Sequence, residues 1–164
     1  MQIYLLRHAI AVPRGSISFP NDDRPLTEEG IKKMAKAAKG AALILPPIDI
    51  ILASPLKRAY ETAVIMAKAI GAEHRLEICK YLLPNSSMKN VMTYLAKYKD
   101  LQSLLIVGHG PDIGFIASAL LGNSGDIIEF KKGALCCIET ETIPSRKHGR
   151  LLWHLPPRFL RDIG

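Results

Sequence analysis

A chain of 164 residues is about one typical domain of roughly 150 residues, which excludes a second independent core. Hydrophobic residues at 48% and charged residues at 23% are ordinary for a globular protein, so disorder and a disulfide-dependent miniature fold are excluded too. The unusual number is a formal net charge of +7, from 22 Lys and Arg against 15 Asp and Glu, which raises nucleic acid, an anionic membrane or an acidic partner as candidates.

The chain opens with a short apolar run, Ile3 to Leu6, that ends in Arg7-His8. This suits a buried strand whose last residues emerge into a site. After a loop with Pro13, Gly15 and Pro20, Thr27 is placed to cap a helix whose first turn carries Glu28 and Glu29, where carboxylates favour the helix dipole. Ile31, Met34, Ala35, Ala38, Ala42 and Leu45 follow at helical spacing, and Pro46-Pro47 stops the helix. Ile48 to Ala53 reads as the second strand. Ser54-Pro55 then reads as a helix start, a capping hydroxyl followed by proline at the first helical position. Leu56, Ala59, Tyr60, Ala63, Met66, Ala67 and Ile70 supply its buried stripe and Gly71 ends it. A weaker strand, Leu76 to Cys79, precedes a helix from about Ser87 to Tyr98 with Met88, Val91, Met92 and Leu95 on one face. Leu104 to Val107 is the most apolar strand, and Gly108-His109-Gly110 leads from it into a helix through Leu121. Ala134 to Thr142 and Leu151 to Leu155 read as strands of a hairpin closing the sheet edge. The alternation predicts a three-layer αβα sandwich, a mostly parallel sheet with helices on both faces, formed by residues 1–164 as a single domain.

Arg7 and His8 interrupt the apolar start, so Met1 to Val12 is not a signal peptide. No apolar stretch approaches the roughly 18 residues of a membrane span. Cys79, Cys136 and Cys137 have neither metal nor redox spacing and read as reduced thiols. These features predict a cytoplasmic protein. His148 and His154 lack zinc-ligand spacing. The glycines at 108, 110 and 114 miss the dinucleotide fingerprint by one position, and no Walker-type sequence occurs. Aromatic residues make up only 6% of the chain, too few for the interleaved stacking of a nucleic-acid binder. The last 22 positions hold five basic residues, Arg146, Lys147, Arg150, Arg158 and Arg161, against one acid, Asp162.

Sites in parallel α/β sheets form outside the carboxyl ends of the strands. Arg7-His8, Ser54 to Arg58, and Gly108-His109-Gly110 all fall there. Arg58, about one turn into its helix, can reach back over the helix N-terminus, where free N–H groups favour an anion. A tetrahedral phosphate suits this set, because arginines grip its oxygens in pairs and stay charged at any working pH. Taken one at a time, each histidine also reads as structural and Arg58 as a solvated helix residue.

The motifs resemble those of the histidine phosphatase superfamily, the phosphoglycerate-mutase-like proteins. Leu6-Arg7-His8-Ala9 is similar to its Arg-His-Gly signature, with Ala9 for the usual glycine. Arg24-Pro25-Leu26-Thr27 with Gly30, Ser54-Pro55-Leu56-Lys57-Arg58-Ala59 with Thr62, and Val107-Gly108-His109 are similar to its later blocks, in the same order. The short chain and the Trp153 region are most similar to the SixA-type phosphohistidine phosphatases.

The resemblance implies that His8 is the nucleophile and that Arg7, Arg58 and His109 hold the phosphoryl oxygens, with Arg24 and Ser54 as further phosphate contacts. It requires no metal and no cofactor. Tyr81 to Ser87, where many members supply a glutamate as general acid, contains no carboxylate. An alkoxide leaving group needs such an acid far more than an imidazole with a pKa of about 6.5 does. The implied substrate is therefore a phosphohistidine protein, such as a phosphotransfer domain. Without a long insertion to form a lid, the site stays open to such a partner. The alternatives are a small phosphorylated metabolite, with Asp22 or Asp23 as proton donor, and a non-catalytic phosphate-binding module.

Overall fold

The computed structural model describes residues 1–125, 128–143 and 148–164. Six strands form one sheet: β1 (Gln2–Arg7), β2 (Ile50–Ala53), β3 (Leu76–Ile78), β4 (Ser103–Gly108), β5 (Leu135–Glu139) and β6 (Arg150–Leu155). Their order is β3-β2-β4-β1-β5-β6. The first four are parallel, whereas β5 runs antiparallel to β1 and β6 antiparallel to β5. The expected edge hairpin is thus present. The helices are α1 (Glu28–Ala42), α2 (Lys57–Ala69), α3 (Met88–Leu95), α4 (Asp112–Leu120) and α5 (Pro157–Ile163).

The layers follow from the two-residue period of a strand. In β1, Tyr4 and Leu6 join Met34, Ala38, Met66, Ala67 and Leu160 in a core under α1, α2 and α5. Ile3 and Leu5 join Val91, Leu95, Ile113 and Ile116 in a second core under α3 and α4. A strand buried on both faces is largely apolar, and β4 is buried throughout, with Ser103 at its start bonded to Asp49 N and Pro47 O. Among the described residues, no helix is long and apolar enough to cross a membrane.

Several local expectations are corrected. The α2 helix starts at Lys57, not at Ser54-Pro55. Its free amide at Lys57 donates to Asp23 Oδ1 at 2.8 Å, so the cap comes from a distant loop. The buried face of α1 is Gly30, Met34, Ala37, Ala38, Gly40 and Ala41, while Ile31 is 46% exposed. Small residues line this face because α5 lies close upon it. A Cβ added at Gly40 would stand 1.9 Å from the Leu160 carbonyl oxygen. The sequence reading contained no α5, a seven-residue helix that begins with Pro157. Within the basic tail, Arg150 pairs with Glu139 at 2.6 Å and Arg158 with Asp162 at 3.8 Å. Arg146 and Lys147 lie outside the described residues.

Candidate active site

From β1 the chain crosses to β2 through α1, on one face of the sheet. From its neighbour β4 it crosses to β5 through α4, on the other face. The carboxyl ends of β1 and β4 therefore flank a point where the connections diverge and leave a crevice. Arg7 and Gly108 are in register there, and the next residue on each strand is a histidine. The two imidazole centroids are 5.2 Å apart. Ser54 follows β2 on the other side of β4, and its amide donates to Val107 O at 3.0 Å.

Each side chain is held by a specific partner. The His8 ring makes a 2.8 Å hydrogen bond from Nδ1 to the Ala9 carbonyl. A carbonyl only accepts, so Nδ1 carries the proton and Nε2 keeps its lone pair. His109 Nε2 and Ser54 Oγ are 2.8 Å apart, while His109 Nδ1 is buried with no hydrogen-bond partner. Arg58, 2% exposed, donates from Nη1 to Asp22 O at 2.6 Å and from Nη2 to Asp22 Oδ2 at 3.1 Å. Arg24 Nε donates to Asp22 Oδ1 at 2.7 Å and its Nη1 to Val12 O. Arg7 Nη1 donates to Phe130 O. Asp22 adopts a φ of +57° and bridges two guanidiniums from that left-handed turn. Burial opposes its ionisation, but the Arg24 hydrogen bond and the charges of Arg58, Arg24 and Arg14 hold its carboxyl below the usual range.

The sequence blocks acquire local reasons. Thr62 Oγ1 accepts from Ala9 N at 3.0 Å and donates to Arg58 O at 2.6 Å, tying the residue after His8 to α2. A Cβ at Gly30 would lie 2.0 Å from Ile10 O, so only glycine lets α1 approach that segment. Gly110 plays the same part beneath Arg7, where a Cβ would lie 2.7 Å from the guanidinium carbon. Ala9 is not among the residues with positive φ, so the position tolerates a methyl group.

The cleft over these residues has a volume of about 320 Å³. Arg7, His8, Arg24, Arg58 and His109 line it, and Ser54 stands behind His109. Two further cations, Arg14 and Lys132, line it as well, and among the described residues no carboxylate does. Sequence reasoning missed Lys132 because it considered only the carboxyl ends of parallel strands. An antiparallel neighbour brings its amino end to the same edge, and Lys132 precedes β5. Gly133 fixes that loop by donating to the Arg7 and His8 carbonyls at 3.0 and 3.2 Å.

Electrostatics set the protonation states. Burial lowers the His8 pKa to about 3, with Arg58, Arg7 and Lys132 adding to it against the Ala9 hydrogen bond. His109 is lowered to about 3 by burial first, then by His8 and Arg58. Two neutral imidazoles thus sit among five cations. That arrangement can bind a tetrahedral dianion and offer one nitrogen lone pair to it. Among the described residues, no three of His, Cys, Asp and Glu gather as a metal-ligand group.

Residues 3–79 match the model of the histidine phosphatase superfamily (branch 1). The SixA homolog of Haemophilus influenzae, a phosphohistidine phosphatase by name, is 32% identical over 138 residues, covering 77% of this chain and 81% of that protein. The chain belongs to the histidine phosphatase superfamily. Phosphohistidine phosphatase SixA of Escherichia coli is 25% identical across 98% of this superfamily member and 97% of its own length. The solved structure of the protein histidine phosphatase SixA with tungstate matches at a TM-score of 0.84 and 23% identity, covering 98% of this chain and 99% of that one. A mycobacterial glucosyl-3-phosphoglycerate phosphatase matches at 0.67 and 16%, covering 92% and 96%. A similar fold is thus found in a phosphatase named for a different substrate. The SixA-like relationship supports a phosphatase.

Proposed function

We propose that this phosphatase hydrolyses phosphohistidine in a protein substrate through a phosphorylated His8. The observation that carries the reading is a cleft lined by five cations and two neutral histidines and, among the described residues, by no carboxylic acid. Such a lining binds a phosphoryl group and supplies a nucleophile, but offers no acid to protonate an alkoxide. Pro84 is the only residue of the Tyr81 to Ser87 segment on the cleft. Asp22 is committed to Arg24 and Arg58, and Asp23 to the start of α2, so neither loop acid is poised as proton donor.

In the first step His8 Nε2 forms a bond to phosphorus as the phosphorus–nitrogen bond of the substrate breaks. The departing imidazole keeps the bonding pair and needs only the proton already on its ring to leave as a neutral base. Arg7, Arg58 and His109 surround the equatorial oxygens, where charge gathers in the transition state, and Arg24 and Ser54 hold Arg58's counter-ion and His109 in place. In the second step a water oxygen bonds to phosphorus, the bond to Nε2 breaks, a proton of that water passes to solvent, and inorganic phosphate leaves. The tungstate in the SixA structure, a tetrahedral oxyanion, supports the same kind of occupant here.

The test is a rapid quench with a labelled phosphohistidine peptide. Acid-labile label should appear on His8, vanish in His8→Ala, and turn over at least about 100-fold faster in kcat/KM than an alkyl phosphate. Equal or reversed rates would point instead to a small phosphorylated metabolite. Phosphate binding by a folded protein that never takes label would make the site a binding module.

A further inference from the structure

A second cavity, of about 190 Å³, lies between α1, α5 and the loop before β5. Three cations line it, Lys33, Lys132 and Arg161, and among the described residues no carboxylate does. Lys132 borders both this cavity and the phosphate cleft. Gly133 lines this cavity too, and its amide is bonded to the Arg7 and His8 carbonyls. Ala9, Ile10, Met34, Ala37 and Pro157 supply its apolar part.

Of the tail cations within the described residues, Arg150 and Arg158 are occupied by Glu139 and Asp162 at the surface. Arg161 is different. It is half-buried, lines the cavity, and has no carboxylate partner among the described residues. Lys33 shares its charge with Glu29 one turn earlier. A half-buried guanidinium attracts a carboxylate more strongly than one on an open surface.

We propose that this cavity is a recognition subsite for an Asp or Glu side chain of the phosphoprotein, with Arg161 as its anchor and Lys33 and Lys132 beside it. The proposal rests on the phosphoprotein reading above and extends it. A chain that places its phosphoryl group in the cleft passes Lys132 and can set a nearby carboxylate against Arg161. One part of the basic tail thereby gains a role, brought to the site by the docking of α5 on α1.

The experiment compares phosphohistidine peptides with acidic, amide or basic flanks, and uses phosphoramidate as a substrate without flanks. The wild type should favour acidic over amide flanks by about 10-fold in kcat/KM, mostly through KM. Arg161→Gln should abolish the preference, and Arg161→Glu should turn it toward basic flanks. Phosphoramidate turnover should be unchanged in both, which also shows that they fold. An absent preference in the wild type, or one that survives in Arg161→Glu, overturns the subsite. If the wild type cleaves no phosphohistidine at all, the function reading fails instead. The subsite is then judged by fluorescence anisotropy of an unphosphorylated acidic peptide. Weaker binding to Arg161→Glu supports it, and equal binding sinks it.

Discussion

At Gly110 the absence of one methyl group decides where the Arg7 side chain can lie. A Cβ there would come within 2.7 Å of the Arg7 guanidinium carbon. The guanidinium ends a flexible chain, so it gives way and the backbone does not. Gly110→Ala should therefore lower kcat/KM by about 10- to 100-fold with little change in Tm; unchanged kinetics would show that Arg7 does not need that position. Asp22 makes a complementary case. Its carboxyl is held ionised by the arginines around it, which suits a counter-ion and disqualifies a proton donor. Asp22→Asn should cost less than about 10-fold in kcat on a phosphohistidine peptide. A loss of the roughly 100-fold or more that general acids contribute would restore Asp22 as the acid. The motifs made Arg7, His8, Arg58 and His109 legible as candidates because each ends or follows a strand or opens a helix. Arg14 and Lys132 were not legible, since nothing local in Phe130-Lys131-Lys132-Gly133 says which edge of the sheet the loop will meet.

Elements reach the site through single contacts between them. Thr62, on α2, accepts the Ala9 amide and is buried completely. Thr62→Val keeps the shape but strands that amide, at a cost of about 1–3 kcal/mol, and frees the residue next to His8. Urea midpoints should register the loss, and label on His8 should form more slowly. An unchanged midpoint would mean that the Ala9 amide finds another partner. The contact between α1 and α5 depends on Gly40 in the same way. With a Cβ 1.9 Å from the Leu160 carbonyl, Gly40→Ala must separate the helices, at about 1–3 kcal/mol. Because α5 carries Arg161, the same variant should lose flank preference while keeping phosphoramidate turnover. Sequence patterning missed this contact for a physical reason. Bulky apolar residues mark a helix face packed at ordinary distance, whereas close approach selects glycine and alanine, which periodicity counts as weak.

Across the whole molecule, burying two neutral histidines sets a dependence on pH. In the unfolded chain an imidazole binds its proton below about 6.5, while His8 and His109 in the folded state resist it until about 3. Between those values the unfolded state holds more protons. Their contribution to stability is therefore complete above about 6.5 and is lost as pH falls toward 3. Chemical denaturation at pH 7 and pH 4.5 should show a drop on the order of a few kcal/mol, smaller in the His8→Asn, His109→Asn double variant. An equal drop in that variant would assign the effect to the carboxylates alone. The sequence by itself determined the sandwich, its mostly parallel sheet and the position of four candidate residues at strand and helix ends, because period, capping and chain direction are local properties. Tertiary structure alone decided which edge the antiparallel β5 brings to the cleft, which acid caps α2, that His8 presents Nε2, and that α5 sets Arg161 beside Lys132. Those depend on contacts between residues far apart in the chain, whose partners no local pattern encodes.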